Sequence, residues 1–307
     1  MSTDNPLLQY DHRRYGMDHD RYDWSMLKDR PAIQWPDGKK VALWVNVSLQ
    51  FFPLVQTDKT FPVPGGMRMP YPDLRHFSLR DYGNRVGIYR ILKALDAHGI
   101  KPTIAMNADL ATRCPALRQR IVDRGDEIIA HGLNMDALHH SGIDPALESE
   151  RIKTTVDTLR DLTGQPVEGW LSPGKSQSFD TPDLLARHGL RYQCDWVNDA
   201  LPYPFRTQNG PLVAMPLSTE LEDTHILMNN LHSEDSYVEQ VEDACRFLLT
   251  EAETQGGRML ALSIHPWLLG QPHRIRKLDA LLGALTAHEG VWSATASEII
   301  AASGVSA

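Results

Sequence analysis

The sequence predicts an α/β fold in which parallel strands alternate with helices and curl into a barrel. Short apolar segments bounded by Gly, Pro, Asn or Asp recur along the chain, and segments with helical periodicity separate most of them. Polar side chains follow directly after several of the apolar segments. In such a barrel the loops after the strands meet at one mouth, so the sequence predicts a functional site there.

Eight segments are predicted to form the strands. Each is short and apolar and has chain-breaking residues at its ends. They are residues 41–49, 102–106, 127–131, 167–172, 191–196, 212–217, 259–265 and 291–294. The regular alternation with helices favours a closed parallel sheet over a sandwich.

Helices are predicted between most of these strands. Residues 115–125 and 145–164 each begin with a proline and end with a glycine, which are typical signals for the two ends of a helix. Residues 181–189 carry similar signals over a shorter length. Apolar residues spaced three or four positions apart predict further helices over 86–95 and 237–248. These helices are expected to cover the outside of the barrel.

The composition is that of one globular catalytic domain. The chain has 307 residues, of which 42% are hydrophobic, and a formal net charge of -8. Lys and Arg form no cluster, so we expect no nucleic acid and no membrane as a partner, but a small neutral or mildly polar substrate. The catalytic domain is predicted over 39–303, after an N-terminal arm over 1–38.

The arm is too polar to form a core, yet it carries Tyr10, Tyr15, Tyr22 and Trp24. We expect these aromatic side chains to pack on the barrel or on a neighbouring subunit. The chain starts without a secretory signal and has no apolar stretch of membrane-spanning length, so it is predicted to be cytoplasmic. Its three cysteines are widely spaced, which predicts buried thiols rather than disulfides.

Two connections are longer than a link between a strand and a helix requires. Residues 51–85 and 197–211 are rich in Pro, Gly and aromatic residues and leave the functional face. Two interpretations remain open: walls or a lid over the site, or packing on the barrel surface.

Histidines and carboxylates after the strands are the candidate catalytic groups. His131 and His265 each follow a predicted strand, and imidazole titrates near working pH, so both are candidates for proton transfer. Glu220 and Asp223 follow another strand and are candidates to activate water or to orient a histidine. The alternatives are a histidine buried in the core and a solvated acidic loop.

Neutral amides, cations and an aromatic side chain are the candidate substrate-binding groups. Asn46 and Gln50 carry both donors and acceptors, which suits the carbonyl and N–H edge of a cyclic amide. Trp196 is a candidate to stack on a planar ring. Lys175 and Arg85 are candidates to bind an oxyanion or a product carboxylate.

Three short motifs occur in the order of a known family, namely His131-Gly132, Asp195-Trp196 and Ile264-His265-Pro266. On these motifs the chain resembles the polysaccharide deacetylase superfamily, also called carbohydrate esterase family four. The segments DYGNRVG, GWLSP, DWVND, STELED and HPWLLGQPHR are similar to its branch of cofactor-independent allantoinases and other cyclic-amide hydrolases. The resemblance implies a distorted β/α barrel, a homo-oligomer and hydrolysis of a carbon–nitrogen bond, with Asp195 and His273 among the substrate-binding residues.

The metal site of that superfamily is altered in this sequence. Sugar deacetylases of the superfamily hold a divalent metal through an Asp in the first motif and two His spaced HxxxH. Here the first motif, at 46–50, has no carboxylate, and Met135 stands four residues after His131. A thioether is a soft ligand that does not replace imidazole for Zn²⁺. We expect no required cofactor; the alternative is a divalent metal such as Zn²⁺ with His131 as its first ligand and a histidine from the pair at 139–140 as a substitute.

Three functions remain open. The first is hydrolysis of a small cyclic amide, imide or ureide, in the manner of an allantoinase or imidase, because such rings are easier to open than a plain acetamide. The second is metal-dependent N-deacetylation of a sugar or peptidoglycan, which the altered metal motif disfavours. The third is a barrel that binds a ligand without catalysis, which the retained His131, Asp195 and His265 disfavour. The sequence has neither a GxSxG nucleophile motif nor a nucleotide-binding glycine motif.

Overall fold

A computed structural model describes residues 5–9, 17–55 and 74–305 and contains one nine-stranded sheet. Its strands are β1 (Val41–Leu49), β2 (Thr103–Met106), β3 (Glu127–Ala130), β4 (Gly169–Trp170), β5 (Tyr192–Gln193), β6 (Tyr203–Thr207), β7 (Gly210–Ala214), β8 (Arg258–Ile264) and β9 (Val291–Ser293). Every segment predicted as a strand overlaps one, although β4 and β5 are only two residues long. The predicted α/β fold is confirmed.

The sheet is a curled half barrel rather than a closed barrel. Its strand order is β6-β7-β5-β4-β3-β2-β1-β8, and β9 pairs with the first residues of β1. The strand pairs are parallel except for β6 and β7, which are antiparallel. Because β6 occupies the free edge of β7, β7 does not pair with β8 and the ring stays open. The prediction of a closed parallel sheet was wrong for this reason.

The strand β6 lies in a stretch that was predicted only as a long loop, at 197–211. Thr207 pairs with Gly210 and leaves Gln208 and Asn209 as a two-residue hairpin turn. The dipeptide Asn209-Gly210 at the end of this turn is common in hairpins. The sequence analysis assigned the whole stretch to a loop and so missed the hairpin. In the other long connection, residues 56–73 lie outside the described residues, so the lid interpretation stays a prediction.

Ten α-helices are described around this sheet. They are α1 (Leu74–Tyr82), α2 (Ile88–Ala97), α3 (Ala108–Arg113), α4 (Pro115–Arg124), α5 (Pro145–Thr163), α6 (Thr181–Arg187), α7 (Glu234–Gln255), α8 (Pro266–Leu269), α9 (Ile275–Thr286) and α10 (Ala296–Ser303). The glycines after α4 and α5 adopt the left-handed conformation that ends a helix, so both predicted ends are confirmed.

The strand β1 is buried on both faces, and the alternation of its side chains positions the functional site. Val45, Val47 and Leu49 face the layer of helices, whereas Trp44 packs into the interior of the half barrel. The interior face continues through Asn46, Ser48 and Gln50, so it becomes polar toward the carboxyl end of the strand. A polar mouth therefore lies above an apolar interior.

The described part of the arm packs on the barrel of its own chain. Arg21 is 1% exposed, and its guanidinium donates two hydrogen bonds of 2.8 Å to Asp183 in α6. Tyr22 contacts Trp196 edge to face, whereas Trp24 is 53% exposed. The tyrosines at 10 and 15 lie outside the described residues.

Within the described segments no helix combines the length and apolar character needed to cross a bilayer. The three cysteines are free thiols. Cys194 and Cys245 are buried as predicted, but Cys114 is partly exposed, because it lies between α3 and α4 at the surface.

Candidate active site

One cavity opens at the carboxyl ends of β1, β3 and β8, where the sequence predicted the site. Its volume is about 330 Å³. Four of the predicted site residues line it, namely Gln50, His131, Lys175 and His265. The other lining residues are Ser48, Phe52, Arg80, Met135, Leu171, Ser172, Gly174, Thr219, Glu222, Thr224, Ser263 and Trp267.

His265 is fixed by Asp223, which lies behind it and is fully buried. The imidazole Nδ1–H donates to Asp223 Oδ1 at 2.7 Å, and the backbone N–H of His265 donates to Oδ2 at 2.7 Å. Burial alone would lower the pKa of His265, but the carboxylates of Asp223 and Glu222 outweigh it and raise the pKa above its ordinary value. Since Nδ1 is engaged, Nε2 is the nitrogen that can exchange a proton with a bound molecule.

Glu222 and Lys175 form an ion pair beside His265. Lys175 Nζ donates to Glu222 Oε2 at 2.8 Å, and Glu222 Oε1 lies 3.8 Å from His265 Nε2. Burial opposes ionisation of Glu222, but Lys175 and then His265 outweigh it and lower the pKa of this carboxyl. Lys175 has a φ of 53°, in the left-handed region that is costly for a residue with a Cβ atom. The turn thus holds Lys175 in a strained conformation at the cavity wall.

His131 lies across the cavity as a neutral hydrogen-bond acceptor. Its Nδ1–H donates to the carbonyl of Leu171 at 2.7 Å, and Gln50 Nε2 lies 3.3 Å from its Nε2. Burial lowers the pKa of His131 to about 4, although the Leu171 carbonyl limits the fall. Near neutral pH this imidazole therefore stays uncharged, with its second nitrogen bonded by the amide of Gln50.

Asp195 holds the turn that carries Lys175. The backbone N–H of Ser172 donates to Asp195 Oδ1 at 2.9 Å, and the Ser172 hydroxyl donates to Oδ2 at 2.8 Å. Gln177 donates to the same carboxylate at 2.6 Å. Burial raises the pKa of Asp195 to about 6, against these hydrogen bonds. Asp195 acts on the cavity through Ser172, which lines it, rather than lining it directly.

The segment DYGNRVG shapes the site through the close packing of its glycines and through Asn84, whereas its arginine does not reach the cavity. Asn84 donates to the carbonyl of Gln50 at 2.8 Å and so fixes the exit of β1. A Cβ atom at Gly83 would lie 2.5 Å from the backbone nitrogen of Trp267, and one at Gly87 would lie 2.0 Å from the carbonyl oxygen of Pro266. Only glycine permits this approach, which places the chain after His265 against the mouth.

Three predicted site residues do not reach the cavity. The side chain of Glu220 is 86% exposed and pairs with His225, because the turn before Asp223 directs it to solvent. Arg85 is 77% exposed and lies 3.6 Å from Asp81 on the outer surface of its own helical segment. The side chain of His273 is 62% exposed, at the surface in the connection between α8 and α9. The assignment of these three to the site is corrected accordingly.

Two further predicted residues lie beside the cavity rather than in it. Asn46 is fully buried below the mouth, where its amide donates to Ser48 at 3.2 Å. Trp196 lies in an outer recess and packs against Phe205, with ring centroids 4.8 Å apart. Neither side chain lines the cavity.

The side chains at this mouth do not fit a hard divalent cation. His131 Nε2 faces the amide nitrogen of Gln50, and the thioether of Met135 lies where the family-like spacing would have a second imidazole. His139 is turned away and bonded to Glu148 at 3.0 Å. In the described part of the chain no group of three His, Cys, Asp or Glu side chains is arranged to hold a metal ion.

Several cavity residues were missed by the sequence analysis. Ser48 and Ser263 stand two positions before Gln50 and His265 on the same strand faces, so the two-residue period of a strand could have identified them. Glu222 stands in the acidic segment that had already been singled out, but its orientation is set by an irregular turn. Arg80 is 4% exposed and its guanidinium lies 4.3 Å from the ring centroid of Phe52. No sequence signal indicated that α1 covers the mouth.

Comparison with known proteins agrees with this fold. A family model described as Polysaccharide deacetylase matches residues 80–193. A Schizosaccharomyces pombe protein provisionally named a polysaccharide deacetylase is 26% identical over 86% of this chain and 90% of its own length. The Helicobacter pylori peptidoglycan deacetylase is 23% identical over 71% of this chain and 84% of its own length. These matches define a class of hydrolases that act on carbon–nitrogen bonds.

The chain is similar to the polysaccharide deacetylase family, also called carbohydrate esterase family four, whose model matches its central part. Among solved structures, the crystal structure of the allantoinase PuuE is 24% identical, covers 98% of both chains and has a TM-score of 0.79. This similarity confirms the fold, which is the α/β half barrel of the family.

Proposed function

We propose that this protein is a hydrolase that opens a small cyclic amide, imide or ureide ring, and that it does so without a metal ion. One observation carries the proposal. The fixed pair His265–Asp223 and the Glu222–Lys175 pair face the neutral His131 and its Gln50 across a single small cavity.

The first step is proton transfer from water. Glu222 Oε1 and His265 Nε2 lie 3.8 Å apart, too far for a direct hydrogen bond but suitable for holding one water molecule between them. His265 Nε2 takes a proton as that water attacks the ring carbonyl, and Asp223 stabilises the resulting imidazolium. The same imidazolium can then protonate the leaving ring nitrogen.

The opposite wall suits recognition of the ring. The neutral Nε2 of His131 accepts a hydrogen bond from the Gln50 amide and so orients it, which leaves the Gln50 carbonyl to accept from a ring N–H and its second amide hydrogen to donate to a ring carbonyl. Lys175 Nζ supplies positive charge for the developing oxyanion and then for the product carboxylate. The cavity volume of about 330 Å³ lies at the lower end of the range for small-molecule sites and suits one ring better than a sugar chain.

The donor set supports the metal-independent form of the reaction. The amide of Gln50 and the thioether of Met135 are poor ligands for a hard cation, and His131 Nε2 is already hydrogen bonded. The second candidate is metal-dependent N-deacetylation of a sugar or peptidoglycan, which the names of the sequence relatives favour.

A substrate panel with and without a chelator tests the proposal. Hydantoin, dihydrouracil, succinimide and N-acetylglucosamine oligomers are incubated with the protein, and ring opening or acetate release is followed by NMR. We expect opening of at least one ring at a rate that EDTA leaves within about twofold. Acetate release that EDTA abolishes and Zn²⁺ restores would establish the deacetylase instead, and saturable binding without turnover would establish a binding protein.

A further inference from the structure

A second, shallow recess lies beside the active cavity and shares one wall with it. Its lining includes Tyr22, Gln177, Trp196 and Asn198, and the shared wall is Lys175. A molecule whose ring occupies the cavity can therefore extend past Lys175 into this recess. Nothing in the proposed chemistry of ring opening uses this space.

Aromatic side chains form the outer wall of the recess. The rings of Tyr22 and Trp196 have centroids 5.9 Å apart and planes 83° apart, and His19 contacts both. Tyr203 adds a further edge-to-face contact with Tyr22 at 5.2 Å. Trp196 is also fixed at its nitrogen, because its indole N–H donates to Gln177 Oε1 at 3.0 Å.

The arm supplies Tyr22 in a rigid position. Its neighbour Arg21 donates two hydrogen bonds to Asp183, and a further one to the carbonyl of Phe179 at 3.0 Å. A buried charge-assisted pair with these additional bonds resists displacement far better than an exposed one. The aromatic wall is thus prebuilt, and binding need not order it.

Hydrogen bonds connect this wall to the catalytic groups. Gln177, which holds Trp196, also donates to Asp195, and Asp195 holds Ser172 at the start of the turn that carries Lys175. Lys175 in turn pairs with Glu222. The recess and the cavity therefore keep a fixed distance and orientation relative to each other.

We propose that this recess is a substrate subsite that binds a planar, conjugated substituent on the ring that the cavity opens. The inference rests on the proposed function and narrows its substrate class to substituted rings. Edge and face contacts with Tyr22 and Trp196 favour a flat π system over a saturated group of the same size. Tyr22 is then a specificity residue that the arm contributes to the barrel.

A matched pair of substrates tests the subsite. The kcat/KM for 5-phenylhydantoin is divided by the kcat/KM for 5-cyclohexylhydantoin, which has a ring of the same atom count but no π system. We expect a ratio of roughly 5 or more in the wild type, the size that one aromatic contact provides. Tyr22→Leu should bring this ratio close to 1, and Tyr22→Phe should retain it.

The control variant is Tyr89→Leu, in a tyrosine that is 47% exposed on the outer surface of α2. It should leave the ratio unchanged. A wild-type ratio near 1, or a high ratio that persists in Tyr22→Leu, overturns the subsite while ring opening itself stands. If no ring of the panel is opened, the proposed function fails; in that case, or if only the hydantoins are not opened, the ratio of the two Kd values by calorimetry in wild type and Tyr22→Leu still decides the subsite.

Discussion

Replacing Asp223 by Asn tests the central pair of the site. The substitution preserves shape but removes a buried negative charge that makes two 2.7 Å hydrogen bonds to His265. One of the two acceptors becomes an NH₂ group, which must then face either the backbone N–H or a ring nitrogen. The imidazole is expected to change tautomer so that Nδ1 accepts, which places the proton on Nε2 and blocks proton removal from water.

The expected loss follows from the bonds involved. A hydrogen bond to a charged group contributes about 1.5–3 kcal/mol, and roughly 1.4 kcal/mol corresponds to a tenfold change in rate. We therefore expect kcat/KM for ring opening to fall by at least about 100-fold. The pKa of His265 should also fall, because burial continues to lower it while Asp223, the larger of the two anions that raised it, is gone. The limb of the pH profile that reports this histidine should move to lower pH.

The assay combines steady-state kinetics over a pH series with NMR titration of the histidine carbon signals. Glu220→Gln is the matched control, since it makes the same chemical change three residues earlier in a side chain that is 86% exposed. Circular dichroism shows whether both variants are folded. A folded Asp223→Asn protein whose His265 titrates as in the wild type and whose kcat/KM stays within threefold would refute the role of this pair, as would an equal loss in Glu220→Gln.

Two further substitutions address the walls of the cavity. Lys175→Met should lower kcat/KM by about tenfold or more and raise the pKa of Glu222, because burial then acts without its main opposing cation; a pH profile identical to that of the wild type would contradict this. In His131→Gln the free energy of unfolding should decrease less at acidic pH than it does in the wild type. The pKa of His131 is lowered to about 4 in the folded protein, so the unfolded chain takes up the proton first, and wild-type stability falls as the pH drops below about 6.5. Between pH 7 and pH 5 the wild type should lose about 2 kcal/mol of unfolding free energy relative to the variant, measured by urea denaturation.

The sequence was most informative where a side chain belongs to a regular element. His131 and His265 end strands whose apolar runs define both their position and their direction, and the two-residue period of β1 turns Gln50 toward the mouth. The helix-breaking glycines after α4 and α5 likewise follow from local conformation alone.

It was least informative where position depends on tertiary packing. Glu220 and Glu222 stand two residues apart in the same acidic turn, yet one faces solvent and the other faces His265, and no period applies to an irregular turn. Arg85 belongs to a family-like segment, but the neighbouring Asn84 is the residue that reaches the site. The open sheet was missed because β6 lies in a stretch assigned to a loop, and its pairing occupies the edge of β7 that a closed barrel would need for β8.

The hairpin that keeps the sheet open leaves β6 as an edge strand of the sheet. The unpaired backbone groups of an edge strand can pair with a strand from another molecule. Pro204 has no N–H group to offer there, and the N–H of Arg206 is already taken by the carbonyl of Arg21 at 2.7 Å. The backbone at Arg21 thus covers part of the free edge of β6. A variant that begins at position 22 should remain folded at low concentration but self-associate as the concentration rises, which light scattering would reveal.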